Sequence, residues 1–170
     1  MTGASVSLVL GGARSGKSRH AESLVMVVPP PWLYLATAEP GDAEMAARIA
    51  EHRARRGVDW ETLETPLDVP QALRAVPADA AVLVECLTLW TSNLMHAHRA
   101  IDTSIEALLS ALGARTGPTV LVSNEVGSGI IPGNELARAF RDAQGEVNQR
   151  VAAYAAHVVL MVAGLPLTVK

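Results

Sequence analysis

The chain has 170 residues, a net charge of −3 from 14 Lys and Arg against 17 Asp and Glu, and 49% hydrophobic residues. That length suits one domain over residues 1–170 with a buried core. The charge gives no global basic field for nucleic acid, and no stretch reaches the roughly 18 apolar residues of a membrane span. A single cysteine, Cys86, excludes an intrachain disulfide and a cysteine-built zinc site.

The first predicted element is a buried strand, Val6–Leu10. It runs straight into Gly11-Gly12-Ala13-Arg14-Ser15-Gly16-Lys17-Ser18, which fits G-x-x-x-x-G-K-S/T, and a helix is predicted over Lys17–Val27. Strand, glycine-rich turn, helix is the context a phosphate-binding loop requires. Its glycines let backbone N–H groups turn inward on phosphate oxygens, the lysine reaches the β- and γ-phosphates, and the Ser18 hydroxyl is placed for Mg²⁺. Lys17 is one of two lysines in a chain that otherwise uses arginine. A compact ammonium has been kept where a phosphate would sit. The chain reaches this loop within a dozen residues, leaving no room for a signal peptide, so a cytoplasmic protein is expected.

Pro29-Pro30-Pro31 ends the first helix and leads to a strand at Trp32–Ala36. A helix follows over Ala43–Arg56, with Asp42 as its N-cap and Gly57 just beyond its end. On it Arg48, His52, Arg55 and Arg56 fall at i, i+4, i+7 and i+8 and share one face. Such a stripe makes a solvated face, a phosphate clamp or a surface for an acidic partner. Beside a nucleotide site arginine forks favour phosphate, and neighbouring positive charge disfavours imidazolium, which would leave His52 a neutral nucleophile, although spacing alone does not make a mechanism of it.

Next come a strand at Ala81–Cys86, a helix over Leu87–Gly113 broken around Ala100–Thr103, and a strand at Thr119–Ser123. Glu85, closing an apolar strand, suits the acid that holds a Mg²⁺ shell in P-loop enzymes, with a solvated glutamate as the alternative. The run from Ser123 through Asn124-Glu125-Val126-Gly127-Ser128-Gly129 to Pro132 puts polar groups and glycines where open α/β sheets bind ligands. A helix over Asn134–Ala156 and strands at Val158–Ala163 and Pro166–Val169 complete the chain. Apolar strands alternating with helices predict a three-layer α/β P-loop domain with a mostly parallel sheet.

Several strings then carry a more specific likeness: GGARSGKSRHAE from Gly11, YLATA from Tyr34, EMAARIAEHRARR from Glu44, ECLTLWTSNL from Glu85, VSNEVGSGIIP from Val122 and LARAFRDAQGEVNQRVA from Leu136. Nearly end to end, the chain resembles the bifunctional adenosylcobinamide kinase / adenosylcobinamide-phosphate guanylyltransferase family of cobalamin biosynthesis. The resemblance implies that one site phosphorylates adenosylcobinamide with a nucleoside triphosphate. It then transfers GMP from GTP to the adenosylcobinamide phosphate. Mg²⁺ with ATP or GTP is implied, and Lys17 is implied as a catalytic residue. The family's R-I-x-x-H string makes His52 the residue that carries the guanylyl group. Nucleotide contacts are implied at the loop Gly11–Ser18, at Ala36, Thr37 and Ala38, at Arg53, Ala54, Arg55 and Arg56, and at Glu64 and Glu85. Ser18 and Glu85 would hold the metal, and a homotrimer with sites near subunit boundaries is implied. Many relatives have Asp where this chain has Glu85, whose longer arm would reach a metal directly or through water.

Two other readings compete. A monofunctional small-molecule kinase would use the same loop and leave His52 idle. A GTP-dependent switch needs an N/T-K-x-D string after a late strand, but this strand leads into Ser123-Asn124-Glu125-Val126.

Overall fold

The computed structural model describes residues 6–170, leaving out the side chains of Glu44, Met45, Arg48, His52 and Arg55. The elements in chain order are β1 (Val6–Gly11), α1 (Lys17–Val25), β2 (Trp32–Ala36), α2 (Ala43–Arg55), β3 (Trp60–Glu64), α3 (Val69–Ala75) and β4 (Ala81–Glu85). They continue with α4 (Leu87–His96), α5 (Ile101–Gly113), β5 (Thr119–Asn124), α6 (Glu135–Tyr154), β6 (His157–Val162) and β7 (Leu165–Thr168). The strands form one seven-stranded sheet in the order β3-β2-β4-β5-β1-β6-β7. Strands β1 to β6 run parallel, and β7 returns antiparallel to β6.

Both faces of the central strands are apolar, so both must be covered. On one face Val9, Leu83, Val120 and Val122 pack with Ala21 and Val25 of α1. On the other, Leu8, Val84 and Leu121 pack with Trp90 of α4, Leu108 of α5, and Val147 and Val151 of α6. This is the expected three-layer α/β architecture. Among the described residues no helix is long and apolar enough to cross a membrane.

The structure corrects several boundaries. Helix α1 stops at Val25, where the Met26 N–H closes onto Glu22 O. Cys86 leaves the strand to cap α4. The break expected around Ala100–Thr103 falls slightly earlier, between α4 and α5, where His98 takes a positive φ of 52°. Asn134 lies outside α6 as its N-cap, its Oδ1 accepting from Ala137 N at 2.7 Å. Strand β6 ends at Val162 because Ala163 and Gly164 take the left-handed conformation of a tight hairpin, φ 50° and 83°. Two elements were not expected at all. Strand β3 is an edge strand whose Glu61, Thr62, Leu63 and Glu64 are exposed, so it lacks an apolar run. Helix α3 spans only two turns and carries Pro70 in its first turn.

Candidate active site

The side-chain alternation of a strand decides what meets at the carboxyl edge of the sheet. Val9, Leu83, Val120 and Val122 face α1, so Gly11, Glu85 and Asn124, two residues further along β1, β4 and β5, face the same way. The phosphate loop joins β1 to α1 above them. Its turn uses positive φ at Arg14 (54°) and Gly16 (90°), and Gly16 brings no side chain to cap α1. The first N–H groups of α1 are therefore available to an anion.

Neighbouring segments hold the loop from below. Gly164 N donates to Ser15 O at 3.0 Å, and Glu125 N donates to Gly11 O at 3.2 Å. A Cβ on Gly11 would lie 2.4 Å from Ser15 Oγ and 3.1 Å from Met161 O, which explains the glycine at that position. Lys17 Nζ donates to Gly12 O at 3.1 Å, folded over the loop it belongs to. The central contact is Ser18 Oγ donating to Glu85 Oε1 at 2.7 Å. It joins the first turn of α1 to the acid that closes β4.

Glu85 sits in a firm frame. Thr37, fully buried, donates through Oγ1 to Cys86 O at 2.8 Å and accepts from Cys86 N at 2.7 Å, while its own N–H donates to Glu85 O at 3.1 Å. Asn93 Nδ2 donates to Thr37 O and Pro66 O, each at 2.9 Å, which ties the ends of β2 and β3 to α4. The Glu85–Cys86 peptide is cis. Burial, with the Glu85 charge second, pushes the Cys86 thiol up. The Tyr34 hydroxyl is also held well above its ordinary range, by burial first and Glu85 second, so it stays neutral. Arg56 lies over the Tyr34 ring with its guanidinium carbon 3.4 Å from the centroid.

The site residues expected from sequence thus fall into groups. Gly11 through Ser18 and Glu85 converge in one crevice. Ala36, Thr37 and Ala38 border it, but the Thr37 side chain is committed to Cys86. Arg53 forms an ion pair with Glu64 across the α2–β3 edge, with both side chains largely exposed. Arg56 anchors the end of α2 on Tyr34, and Ala54 is exposed. The side chains of Arg48, His52 and Arg55 lie outside the described residues, so of the predicted basic stripe only Arg56 is placed. Helix α2 itself rides on the surface, with Ala46, Ala47, Ala50 and Ala54 exposed and Ile49 half-buried.

The oxygen set at the loop fits a hard divalent cation. Ser18 Oγ and the Glu85 carboxylate already face each other, and Asn124 Oδ1 and Ser15 Oγ are buried with no hydrogen-bond partner among the described residues. Among the described residues no three His, Cys, Asp or Glu side chains converge as a metal site. The donors suit Mg²⁺, which keeps several waters and takes nucleotide phosphates as ligands.

Sequence reasoning missed the buried polar group behind this crevice. Ser123, Gln144 and Asn148 are linked by short hydrogen bonds under the end of β5, and Asn148 and Thr88 hold the Asn124 backbone from two sides. The available signal was Gln144 and Asn148, four apart on one face of the helix expected over Asn134–Ala156.

Comparison with known proteins agrees with this geometry. The family model described as cobinamide kinase / cobinamide phosphate guanyltransferase matches residues 7–169. The bifunctional adenosylcobalamin biosynthesis protein CobP of Pseudomonas aeruginosa is 48% identical over 166 residues, covering 96% of each chain. The protein CobU of Salmonella typhimurium, of the same description, is 44% identical over 179 residues, covering 96% of this chain and 98% of that one. Among solved structures, a KaiC-like protein from Pyrococcus horikoshii superposes with a TM-score of 0.52 at 13% identity, over 92% of this chain and 70% of that one. A type III secretion ATPase of pathogenic bacteria superposes with 0.59 at 9% identity, over 96% and 56%. At such identities these structures speak for the P-loop fold alone.

Proposed function

The chain belongs to the cobinamide kinase / cobinamide phosphate guanyltransferase family, and from that premise we propose that one P-loop centre on a single 170-residue domain serves both reactions. Of the two activities, the first converts cobinamide to its phosphate and the second transfers a guanylyl group to that phosphate. The observation that carries the reading is the 2.7 Å contact between Ser18 and Glu85, which builds a cation-binding pair into the mouth of the phosphate loop.

In the kinase reaction the hydroxyl oxygen on the aminopropanol arm of adenosylcobinamide attacks the γ-phosphorus of ATP or GTP. The bond to the β–γ bridging oxygen breaks, the nucleoside diphosphate leaves, and the hydroxyl proton passes to solvent. The loop amides from Gly12 to Ser18 and the Lys17 ammonium hold the phosphates and take up the charge that develops on them. Ser18 and Glu85 would hold Mg²⁺, which when bound screens the phosphate charge and orients the oxygens.

In the second reaction His52 attacks the α-phosphorus of GTP, the α–β bridging oxygen departs with pyrophosphate, and GMP rests on the imidazole nitrogen. A phosphate oxygen of adenosylcobinamide phosphate then attacks the same phosphorus, the P–N bond breaks, and the imidazole is regenerated. Arg53, Ala54, Arg55, Arg56 and Glu64 border the nucleotide from the end of α2 and from β3, and Ala36, Thr37 and Ala38 from the end of β2.

A homotrimer goes with this reading. Val162, Leu165 and Leu167 are exposed on one face of the β6–β7 hairpin, where Val162 pairs with Leu165 and Leu160 with Leu167, an apolar surface suited to a second subunit. A cytoplasmic setting, where both triphosphates are available, is part of the same proposal.

The deciding experiment incubates the protein with GTP labelled in the α-phosphate. The wild type should retain acid-labile, alkali-stable label and release pyrophosphate. His52→Ala should take up none yet still phosphorylate adenosylcobinamide. Label uptake by His52→Ala at the wild-type level would place the nucleophile elsewhere.

A further inference from the structure

A buried polar network lies under a residue that the reaction scheme above does not use. The backbone of Asn124 is gripped at both ends by side chains. Its N–H donates to Thr88 Oγ1 at 2.7 Å, and its C=O accepts from Asn148 Nδ2 at 3.0 Å. Asn148 is locked in turn. Its Oδ1 accepts from Ser123 Oγ at 2.6 Å and from Gln144 Nε2 at 2.9 Å, and Gln144 Nε2 also donates to Ser123 Oγ at 2.8 Å. Ser123 and Gln144 are fully buried, and Thr88 and Asn148 nearly so. Apolar side chains would fill the same volume without the desolvation that four buried polar ones incur. The network acts at one place, fixing the last residue of β5 against α4 and α6.

The side chain held there faces the nucleotide crevice. By alternation it shares the α1 face with Gly11, its partner in register, and with Glu85, whose partner Val122 lies two residues back. A strand spacing of ~4.8 Å and a rise of ~3.3 Å per residue put the Asn124 and Glu85 Cα atoms about 8 Å apart. That separation suits two side chains reaching a hydrated ion from opposite sides. Asn124 Oδ1 is buried and has no hydrogen-bond partner among the described residues. An acceptor fixed this firmly calls for a donor.

We propose that Asn124 belongs to the outer shell of the divalent cation held by Ser18 and Glu85, its side-chain oxygen accepting a hydrogen bond from a water on that ion. The proposal rests on the metal reading of the phosphate loop given above. A neutral amide suits the position because Mg²⁺ retains its waters, and a second-shell acceptor orients a water without displacing it.

Manganese binding, followed by electron paramagnetic resonance in the presence of an α,β-methylene GTP analogue that His52 cannot cleave, tests this without turnover. Asn124→Leu should weaken Mn²⁺ binding to the protein–nucleotide complex about tenfold and leave nucleotide affinity without metal within about twofold. Asn124→Asp should restore Mn²⁺ affinity to the wild-type level or beyond, which a purely structural role for the side chain would not produce. Should the leucine variant fail to fold, Asn124→Ala takes its place. Glu85→Gln separates the two levels of the argument. If it weakens Mn²⁺ binding while the leucine or alanine variant does not, the inference about Asn124 is overturned and the site reading stands. If neither weakens it, the metal reading of the loop fails as a whole.

Discussion

Thr37→Val tests whether the frame around Glu85 works as described. Valine keeps the branched shape and removes the hydroxyl, so packing changes little while two hydrogen bonds to Cys86 vanish. The losses are unequal. Cys86 O keeps a second donor, Trp90 N at 3.1 Å, whereas Cys86 N loses the acceptor at 2.7 Å that satisfies it. A buried N–H left unpaired costs about 1–3 kcal/mol and the weakened carbonyl less, so the substitution should destabilise the protein by roughly 2–4 kcal/mol. At about 2–4 °C per kcal/mol for a chain of this size, the unfolding midpoint in calorimetry should fall by roughly 5–15 °C. Thr37→Ser retains the hydroxyl and loses one buried methyl, about 1 kcal/mol, so its midpoint should fall far less. Because Thr37 N also donates to Glu85 O, the valine variant should in addition need more Mg²⁺ for half-maximal activity in both reactions. A valine variant that unfolds together with the serine variant would refute the claim that this hydroxyl holds the Glu85–Cys86 segment.

Lys17→Ala should abolish both activities, since one ammonium serves both phosphate chains; the loss in kcat should be on the order of 10³-fold or more, measured with each substrate separately. Lys17→Arg should fail as well, because a planar guanidinium does not fit where Nζ now reaches Gly12 O; near wild-type phosphorylation of cobinamide by either variant would contradict the loop assignment. Cys86 is buried and its thiol is pushed up by burial and by Glu85, so a disulfide reagent at pH 8 should react with it only after denaturant is added. Rapid reaction in the native state would show that the strand-end frame opens.

The sequence alone determined the phosphate loop, the parallel α/β alternation and the acid at the end of β4, because each depends on local physics. A glycine-rich turn between an apolar strand and a helix has few other uses, and runs such as Ala81-Val82-Leu83-Val84 bury on both faces whatever surrounds them. The break before α5 was legible for the same reason. Strand β3 and helix α3 were not, because Trp60–Glu64 is held by pairing with β2 at the sheet edge and Val69–Ala75 by packing on the core. Neither segment carries a strong periodic signal of its own.

Only the tertiary structure decided which side chains share the crevice. Ser18 and Glu85 are 67 positions apart and meet because β4 and β1 flank β5 in the sheet order. Thr37, where the resemblance implies a nucleotide contact, turns its hydroxyl inward to Cys86, 49 positions away, a bond that no local pattern shows. Asn124 was visible as one polar residue in a loop-like string. Its importance comes from Thr88 and Asn148, which reach it from two helices, and from Ser123 and Gln144, which hold Asn148 in place. Hydrogen bonds of that kind depend on register and on which way each strand alternates, and a one-residue slip would turn Gly11, Glu85 and Asn124 away from one another. Local pattern specifies the elements, whereas the site comes from how the strands are ordered and paired.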